Sequence, residues 1–271
     1  MTRPLLPVAP DVGARLSGTP LLVMLDVDGT LAPIAERPEE AAVPPGTRRV
    51  VAALAALPGV NVAFVSGRAA SDVMRLTDVR GAWVIGNHGF EIVPPGADAG
   101  SIAPLGEQRE VAAATRELGA ATAGMAGVIV EDKRYTSSVH FRLADPAIVD
   151  ALRTIVARVA NRHGLRVVEG KKVLEVRPHT DVHKGTAAVG LARAVLGARP
   201  GGAAVYFGDD TTDEDAFASL RAEVPVAVTA RVSDTDDART SAEFVVRDTD
   251  EVRRFLEWLE RQRGRPTTAA P

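Results

Sequence analysis

The sequence predicts an α/β protein, with a Rossmann-like parallel sheet interrupted by an inserted α+β domain. Two observations support this class. Near both ends of the chain, short apolar runs alternate with helical patterns, which is the rhythm of βαβ units. Between these halves, two predicted hairpins follow two predicted helices in the order αββαββ. We therefore expect a discontinuous core and an insert whose own sheet is antiparallel.

The first half of the core begins with LLVML, an apolar run bounded by Pro20 and Gly29. This run is too short for a buried helix and is typical of a strand covered on both faces. The elements that follow alternate regularly between strand and helix. In chain order, we expect a strand at 21–25, a helix at 47–57, a strand at 60–65, a helix at 70–77 and a strand at 82–85.

The insert shows a different pattern. We expect a helix at 107–119, a hairpin of GVIVED and TSSVHFRL, a helix capped at Asp145-Pro146, and a hairpin of LRVV and KVLEVRP turning at Glu169-Gly170. In the strand TSSVHFRL, alternation places Ser137, Val139, Phe141 and Leu143 on one face, and Ser138, His140 and Arg142 on the other. A sheet with one solvated face explains this pattern as well as a ligand-binding face does.

The second half of the core returns to the first rhythm. Its expected elements are a helix at 184–197, strands at 203–207, 224–228 and 243–246, a helix at 213–220, and a last helix carrying Val252, Phe255, Leu256 and Leu259 at helical spacing. The expected domains are a core of 20–106 and 181–263, an insert of 107–180, and flexible ends at 1–19 and 264–271.

Composition excludes several classes. The 271 residues are 46% hydrophobic and 25% charged, without cysteine, so disulfides and thiolate metal sites are excluded. The net charge of −3 provides no basic field for nucleic acid or an anionic membrane. The longest apolar runs, LLVML and VVAALAAL, are too short to span a bilayer. The N-terminus is a poor match to a signal peptide, so we expect a cytoplasmic protein.

The most informative motif is DVDGT, which directly follows the first apolar run. In an extended chain Asp26 and Asp28 point to the same face, at the strand end where α/β sheets bind ligands. Asp28-Gly29 could instead form a hairpin turn, but the residues after it contain Pro33 and show no returning strand. The spacing of glycine and carboxylates does not fit a calcium loop in either register.

Three more polar clusters follow predicted core elements. Ser66-Gly67-Arg68 lies at a strand-to-helix turn, where backbone N–H groups favour an anion, although such a turn is ordinary alone. Lys184 lies at the first turn of a predicted helix, where the helix dipole disfavours a positive charge. Either this lysine is exposed to solvent, or an anion lies beside it. Asp209 and Asp210 come before a helix, whereas the helix dipole already explains the acidic residues at 213–215.

Together these clusters predict phosphoryl transfer. Several carboxylates in one crevice are costly unless a cation is present, and oxygen ligands suit Mg²⁺. One carboxylate can attack phosphorus and form an aspartyl phosphate, while its neighbour protonates the leaving oxygen and later activates water. Mg²⁺, Lys184 and Ser66 would neutralise charge on the transferring oxygens.

The clusters are similar, in order and spacing, to the four motifs of the haloacid dehalogenase-like phosphatases. The insert resembles the larger α/β cap of a subgroup that acts on sugar phosphates. Within it, residues 20–247 resemble the trehalose-6-phosphate phosphatase family. The phrases that carry the resemblance are Asp26-Val27-Asp28-Gly29-Thr30, SGR (66–68), GNHGFE (86–91), EDKRYTSSVHFR (131–142), GKKVLEVRP (170–178), HKG (183–185) and GDDTTDEDAF (208–217).

This resemblance implies Mg²⁺-dependent hydrolysis of trehalose 6-phosphate to trehalose and phosphate, as a step of trehalose biosynthesis. It implies Asp26 as nucleophile and Asp28 as general acid and base. The Asp26 carboxylate, the Asp28 backbone carbonyl and Asp209 would hold Mg²⁺, with Asp213 as a ligand or a support.

The resemblance also implies the substrate contacts. Ser66 and Lys184 would hold the phosphoryl group, and the cap would recognise the sugar. The remaining expected contacts are Gly67, Arg68 and His88 in the core, and Glu131, Lys133, His140, Arg142, Lys172 and Glu175 in the cap. Linkers near 94–106 and 178–183 would then act as hinges.

Two alternatives stay open. A relative could act on another sugar phosphate, such as sucrose phosphate or mannosyl-3-phosphoglycerate. A protein of another class would be a non-catalytic sugar-phosphate sensor or a partner module of the synthase, although the presence of all four motifs argues against it. A functional link to trehalose-6-phosphate synthase is the partner relation implied, and we expect no nucleic acid or membrane partner.

Overall fold

The computed structural model describes residues 2–35, 37–98, 108–180, 182–197, 201–235 and 239–264. The chain forms two compact units, which we call the core unit (Met1–Ile102 with Val182–Pro271) and the inserted unit (Ala103–Asp181). Part of the expected linker at 94–106 and nearly all of the expected flexible tail at 264–271 lie outside the described residues.

The described part of the core unit contains a sheet in the order β1-β12-β11-β10-β2-β3-β4-β5, in which only the β4-β5 pair is antiparallel. Its strands are Arg3–Pro4 (β1), Leu21–Leu25 (β2), Val60–Val65 (β3), Trp83–Gly86 (β4), Glu91–Val93 (β5), Ala203–Gly208 (β10), Ala227–Val232 (β11) and Phe244–Val246 (β12). Its helices are Pro10–Arg15 (α1), Pro45–Ala55 (α2), Ala70–Thr77 (α3), Lys184–Leu196 (α6), Thr211–Glu223 (α7) and Thr249–Arg263 (α8).

Strand β2 lies between two hydrophobic cores, which explains its continuous apolar sequence. Leu21, Val23 and Leu25 belong to the core on one face, whereas Leu22 and Met24 belong to the core on the other. All five side chains are fully buried. Because both faces are packed, the strand is held rigidly and its carboxyl end is fixed at the rim of the sheet.

The N-terminal segment differs from the expectation. Residues 1–19, predicted to be flexible, contain β1, which pairs in parallel with β12, and the helix α1. Leu5, Val12 and Leu16 are each at most 1% exposed and pack into the core of this unit. Burial of these three side chains stabilises a fixed conformation of the segment.

The inserted unit has an antiparallel sheet in the order β6-β7-β9-β8, packed on two helices. Its elements are Gln108–Thr122 (α4), Ile129–Asp132 (β6), Ser137–His140 (β7), Val149–Arg162 (α5), Arg166–Gly170 (β8) and Val173–Arg177 (β9). The core of this unit includes Val139, Leu152 and Leu174, all of them buried.

Three local expectations in the two units are wrong. The second hairpin turns at 171–172 instead of at Glu169-Gly170, because β8 extends to Gly170 and pairs it with Val173. Leu143 was expected on the same face of the β7 strand as Val139 and Phe141, but β7 ends at His140 and Leu143 is 78% exposed. The strand expected at 224–228 begins only at Ala227.

Asp145 caps a short 3-10 turn, Pro146–Ile148, through a hydrogen bond from the Ala147 amide, and α5 follows that turn. None of the helices in the described part of the chain is long and apolar enough to cross a membrane.

Candidate active site

Three neighbouring parallel strands bring the polar clusters together. Strand β2 pairs with β3 on one side and with β10 on the other. Asp26 follows β2, Ser66 follows β3 and Asp209 follows β10. The carboxyl ends of parallel strands lie at one edge of a sheet, so these three residues meet where α/β proteins bind ligands.

Asp26 and Lys184 form the buried centre of the site. The Lys184 ammonium, at the first residue of α6, donates to Oδ1 of Asp26 and to Oδ1 of Asp213, both at 2.7 Å. Burial, followed by the charge of Asp213, raises the pKa of Asp26 well above its usual range, although Lys184 opposes this shift. Burial disfavours the charge of Lys184, but the two carboxylates outweigh burial and raise the pKa of Lys184. Lys184 therefore faces two anions, which explains a lysine at a helix N-terminus.

Asp213 is fully buried and accepts four hydrogen bonds. Its Oδ1 accepts from Lys184 and from the hydroxyl of Tyr206, and its Oδ2 accepts from the backbone amides of Asp209 and Asp210 at 3.1 Å each. Tyr206 lies on β10 and is fully buried, with 2.7 Å between its hydroxyl and Asp213. Asp213 thus connects the end of β10 to Lys184.

Asp209 packs directly over the turn after β2. Gly29 in that turn has a φ of +80°, and a Cβ there would lie 2.1 Å from Oδ2 of Asp209. Only glycine suits both the backbone and this close approach. Burial, followed by the charge of Asp213, raises the pKa of Asp209 to about 7. Asp210 serves as the N-cap of α7, where it accepts from the Thr211 amide.

The carboxylates of Asp26, Asp209 and Asp213 form a candidate cation site. One oxygen of each lies within 4.8 Å of the others. The donor set consists of oxygens. Burial is the main reason that the pKa values of Asp26 and Asp209 are raised, and the negative charge of Asp213 raises both further, a repulsion that a divalent cation would offset. These residues therefore fit Mg²⁺, a hard cation that prefers oxygen ligands.

Asp28 has a different partner from Asp26. Nε and Nη2 of Arg68 donate to its two carboxylate oxygens at 2.6 and 2.7 Å. Nη1 of Arg68 donates to the Pro38 carbonyl at 2.9 Å. The two carboxylates of the DVD motif are therefore each paired with a separate cation.

The segment after β4 packs against the turn at Ser66 and hydrogen-bonds to it. Ser66 is buried, its Oγ accepts from the Arg68 amide at 3.1 Å, and its carbonyl accepts from the His88 amide at 3.0 Å. The His88 ring packs on Gly67, where a Cβ would lie 2.5 Å from Cε1. Free N–H groups were expected at this turn, but the Ala70 amide at the start of α3 donates to the buried Glu91 carboxylate at 2.5 Å.

The inserted unit brings part of its predicted set together. The Glu131 carboxylate of β6 accepts a hydrogen bond from Nε2 of His140 of β7 at 2.8 Å and lies 4.0 Å from the Lys133 ammonium. Ser138 pairs with both Glu131 and Glu175 in neighbouring strands, so these residues share one face of the sheet. Arg142 and Lys172 are exposed and lie beyond the strand ends.

The sequence did not point to Tyr206 or Glu91, although both shape the site. Tyr206 is the only polar side chain in the buried run AAVYF, and a buried hydroxyl requires a hydrogen-bond partner. Glu91 is an acidic residue within the otherwise apolar stretch FEIV. A search for polar side chains within predicted buried strands would have found both.

The parallel sheet, its acidic strand ends and the inserted antiparallel unit define a haloacid dehalogenase-like fold. The sequence profile of the trehalose-phosphatase family matches residues 24–250. The chain belongs to the trehalose-phosphatase family.

Curated relatives are longer than this chain. A protein of Mycobacterium bovis described as trehalose-phosphate phosphatase is 36% identical over 248 residues, which cover 89% of this chain and 61% of that protein. A Mycobacterium tuberculosis protein described as an uncharacterized glycosyl hydrolase is 38% identical over 233 residues, which cover 84% of this chain and 17% of that protein. The chain thus spans only part of both relatives.

A solved structure supports the fold along most of the chain. A trehalose-6-phosphate phosphatase related protein superposes with a TM-score of 0.73 and 27% identity, over 89% of this chain and 97% of that chain.

Proposed function

We propose that this chain is a Mg²⁺-dependent phosphatase that hydrolyses trehalose 6-phosphate to trehalose and inorganic phosphate. The observation that carries the proposal is the buried Asp26, held by Lys184 at the end of β2 and two residues from the arginine-bound Asp28. Membership of the trehalose-phosphatase family and the printed name of the M. bovis relative support the substrate.

In the first step, a carboxylate oxygen of Asp26 forms a bond to phosphorus while the bond to the sugar oxygen breaks. Asp28, in its acid form, gives its proton to that oxygen, and the sugar leaves as a neutral alcohol. Lys184 holds Oδ1 of Asp26, which fixes the attacking carboxylate, and the Ser66 turn supports the phosphoryl oxygens.

In the second step, water attacks phosphorus of the aspartyl phosphate and Asp28 accepts its proton. The bond between phosphorus and Asp26 breaks, so that phosphate and the free carboxylate are restored. Asp26, the Asp28 backbone carbonyl and Asp209 would hold Mg²⁺, which supplies positive charge for the transferring oxygens. The four hydrogen bonds to Asp213 favour a supporting role for that residue.

The polar side chains of the inserted unit are proposed to contact the sugar. The carboxylates Glu131 and Glu175 can accept hydrogen bonds from sugar hydroxyls, and Lys133, Arg142 and Lys172 can donate to them. His140 is held by Glu131 at 2.8 Å and can do either.

The test is phosphate release from a panel of trehalose 6-phosphate, sucrose 6-phosphate, mannosyl-3-phosphoglycerate and glucose 6-phosphate, with MgCl₂. We expect the highest kcat/KM for trehalose 6-phosphate and loss of activity in Asp26→Asn. A clear preference for another ester would contradict the substrate, and binding of trehalose 6-phosphate without turnover would indicate a sensor.

A further inference from the structure

Arg68 is bound to the candidate proton carrier and not to the nucleophile. Its Nε and Nη2 donate to Oδ2 and Oδ1 of Asp28 at 2.6 and 2.7 Å. This is the two-bond geometry in which a planar guanidinium matches a carboxylate, and it fixes orientation as well as distance. Both side chains are partly shielded, with exposures of 15% for Arg68 and 33% for Asp28.

The arginine is itself held at both ends. Its amide donates to Ser66 Oγ at 3.1 Å and its carbonyl accepts from the Asn87 amide at 2.7 Å. At the other end, Nη1 donates to the Pro38 carbonyl at 2.9 Å. A side chain anchored in this way loses little further freedom when it binds Asp28, so it can act as a rigid support.

The pair orients Asp28 without occupying all of its acceptor sites. An ionised carboxylate has about four lone-pair sites on its two oxygens, and a two-bond contact with arginine uses two of them. The others remain for the proton that Asp28 passes to the leaving oxygen and, in the second step, accepts from water. In contrast, Lys184 provides the charge next to Asp26 at 2.7 Å. Each carboxylate of the DVD motif therefore has its own cation.

We propose that Arg68 is a positioning residue that acts on the reaction through Asp28, and not by binding the phosphoryl group. The sequence had placed Arg68 among the substrate contacts, whereas the geometry assigns its Nε and Nη2 to Asp28. The proposal rests on the proposed function in one respect, namely that Asp28 transfers a proton during hydrolysis of a phosphate ester.

The test compares two leaving groups. A sugar alcohol needs a proton to leave, whereas p-nitrophenolate is far more acidic and leaves without one. If Arg68 acts through Asp28, Arg68→Met should lower kcat/KM for trehalose 6-phosphate by about 10- to 100-fold, mainly through kcat, and for p-nitrophenyl phosphate by less than about 3-fold. If Arg68 instead bound the phosphoryl group, Arg68→Met would lower kcat/KM equally for both substrates and would raise KM for both.

A double-mutant cycle makes the same distinction independently. In an Asp28→Asn background, Arg68→Met should cause no further loss on trehalose 6-phosphate, because its only route to the reaction is already removed. If the double variant instead lost activity by the product of the two single-variant losses, the proposal would be overturned. The matched control is Arg75→Met, which removes an exposed arginine of α3 paired with Asp72 and should leave both substrates unchanged.

A second variant covers the case in which Arg68→Met does not fold. Arg68→Lys keeps the charge but not the planar two-bond contact. It should therefore lower activity on trehalose 6-phosphate and leave activity on p-nitrophenyl phosphate nearly unchanged. If the wild type hydrolyses neither ester, the proposed function is wrong and this proposal fails with it. If the wild type is active and the Arg68 variants lose both esters equally, only the role of Arg68 is wrong.

Discussion

At the scale of single residues, Asp213 organises the site through its hydrogen bonds. Its two oxygens receive Lys184, Tyr206 and two backbone amides, so it sets the position of the ammonium relative to Asp26. A buried carboxylate with four donors is well compensated for the loss of water. Removing any one donor should therefore affect both the stability of the protein and the position of Asp26, the proposed nucleophile, which Lys184 holds.

Tyr206→Phe removes one of these donors and nothing else. We expect the free energy of unfolding to fall by about 0.5–1.5 kcal/mol, the usual contribution of one hydrogen bond, because Oδ1 of Asp213 loses a partner. We also expect a lower kcat and a higher half-saturating Mg²⁺ concentration. Urea unfolding and a Mg²⁺ titration of activity measure the effects.

The matched control is Tyr135→Phe, since Tyr135 is the other tyrosine of the chain and is buried in the inserted unit. It should leave the Mg²⁺ dependence unchanged. An equal Mg²⁺ dependence in Tyr206→Phe and wild type would show that Tyr206 supports the fold alone.

The raised pKa of Asp209 should make the stability of the metal-free protein depend on pH. Its pKa is raised to about 7, so the folded chain holds a proton that the unfolded chain has already released. The free energy of unfolding should therefore fall as pH rises from about 4 to about 7, and this decline should end above the folded pKa. Mg²⁺, if it binds the ionised carboxylate as proposed, should oppose the decline. Urea unfolding at several pH values, with EDTA or MgCl₂, tests this.

Asp209→Asn provides the comparison for this prediction. The substitution removes the titrating group, so the decline in stability between about pH 4 and pH 7 should be shallower. An identical pH profile in the two proteins would mean that the pKa of Asp209 is close to its usual value.

At the scale of elements, the site depends on where β2 ends. The strand is buried on both faces, and the chain then turns at Gly29 under the Asp209 carboxylate. The Gly29 amide donates to the Ala32 carbonyl at 2.7 Å, which closes this turn. Strand β2 therefore places Asp26 and Asp28 at the rim of the sheet, and the turn at Gly29 leaves space for Asp209 beside them.

Gly29→Ala tests this turn directly. An alanine would adopt a φ of +80° and place its Cβ 2.1 Å from Asp209 Oδ2. Gly81 is a matched control, with a φ of +82° and no described heavy atom within 4 Å of an added Cβ. We expect Gly81→Ala to cost about 1–2 kcal/mol of stability from backbone strain alone.

Gly29→Ala should cost more than this and should also weaken Mg²⁺ binding, because Asp209 must move. Thermal unfolding and calorimetric Mg²⁺ titration compare the two variants. Equal effects of the two substitutions would mean that the contact with Asp209 contributes nothing.

At the scale of the whole molecule, the two units have separate hydrophobic cores and separate chemistry. The core unit carries the carboxylates, and the inserted unit carries a polar sheet face with its own buried layer of apolar side chains. If the inserted unit recognises the sugar, substitutions on that face should change the response to trehalose 6-phosphate and not the response to a small aryl phosphate.

Glu131→Gln is the variant that follows from this division of roles. It removes the charge that holds His140, so KM for trehalose 6-phosphate should rise several-fold, while kcat/KM for p-nitrophenyl phosphate stays constant. Glu169→Gln is the control, because Glu169 belongs to the same unit and pairs with the exposed Arg153. Equal effects of Glu131→Gln on both esters would contradict a role in sugar recognition.

The sequence predicted the elements whose pattern is strong and local. Strand β2 and helix α3 have the predicted bounds, because an apolar run with clear limits determines them. The sequence also predicted that the polar residues after β2, β3 and β10 would lie together at one edge of the sheet. The pairing of Arg68 with Asp28, the contact of Tyr206 with Asp213 and the order in residues 2–19 were not, since each depends on a partner distant in sequence. The turn at 171–172 was misplaced because hairpin register depends on strand pairing.

The most direct test is the search for the covalent intermediate. The protein is mixed rapidly with trehalose 6-phosphate and MgCl₂, quenched in acid and digested, and the peptides are examined by mass spectrometry. We expect one phosphoryl group on the peptide that contains Asp26, located at Asp26 itself, and none in Asp26→Asn. Release of phosphate by the wild type with no phosphoryl group at Asp26, or undiminished release by Asp26→Asn, would contradict the mechanism.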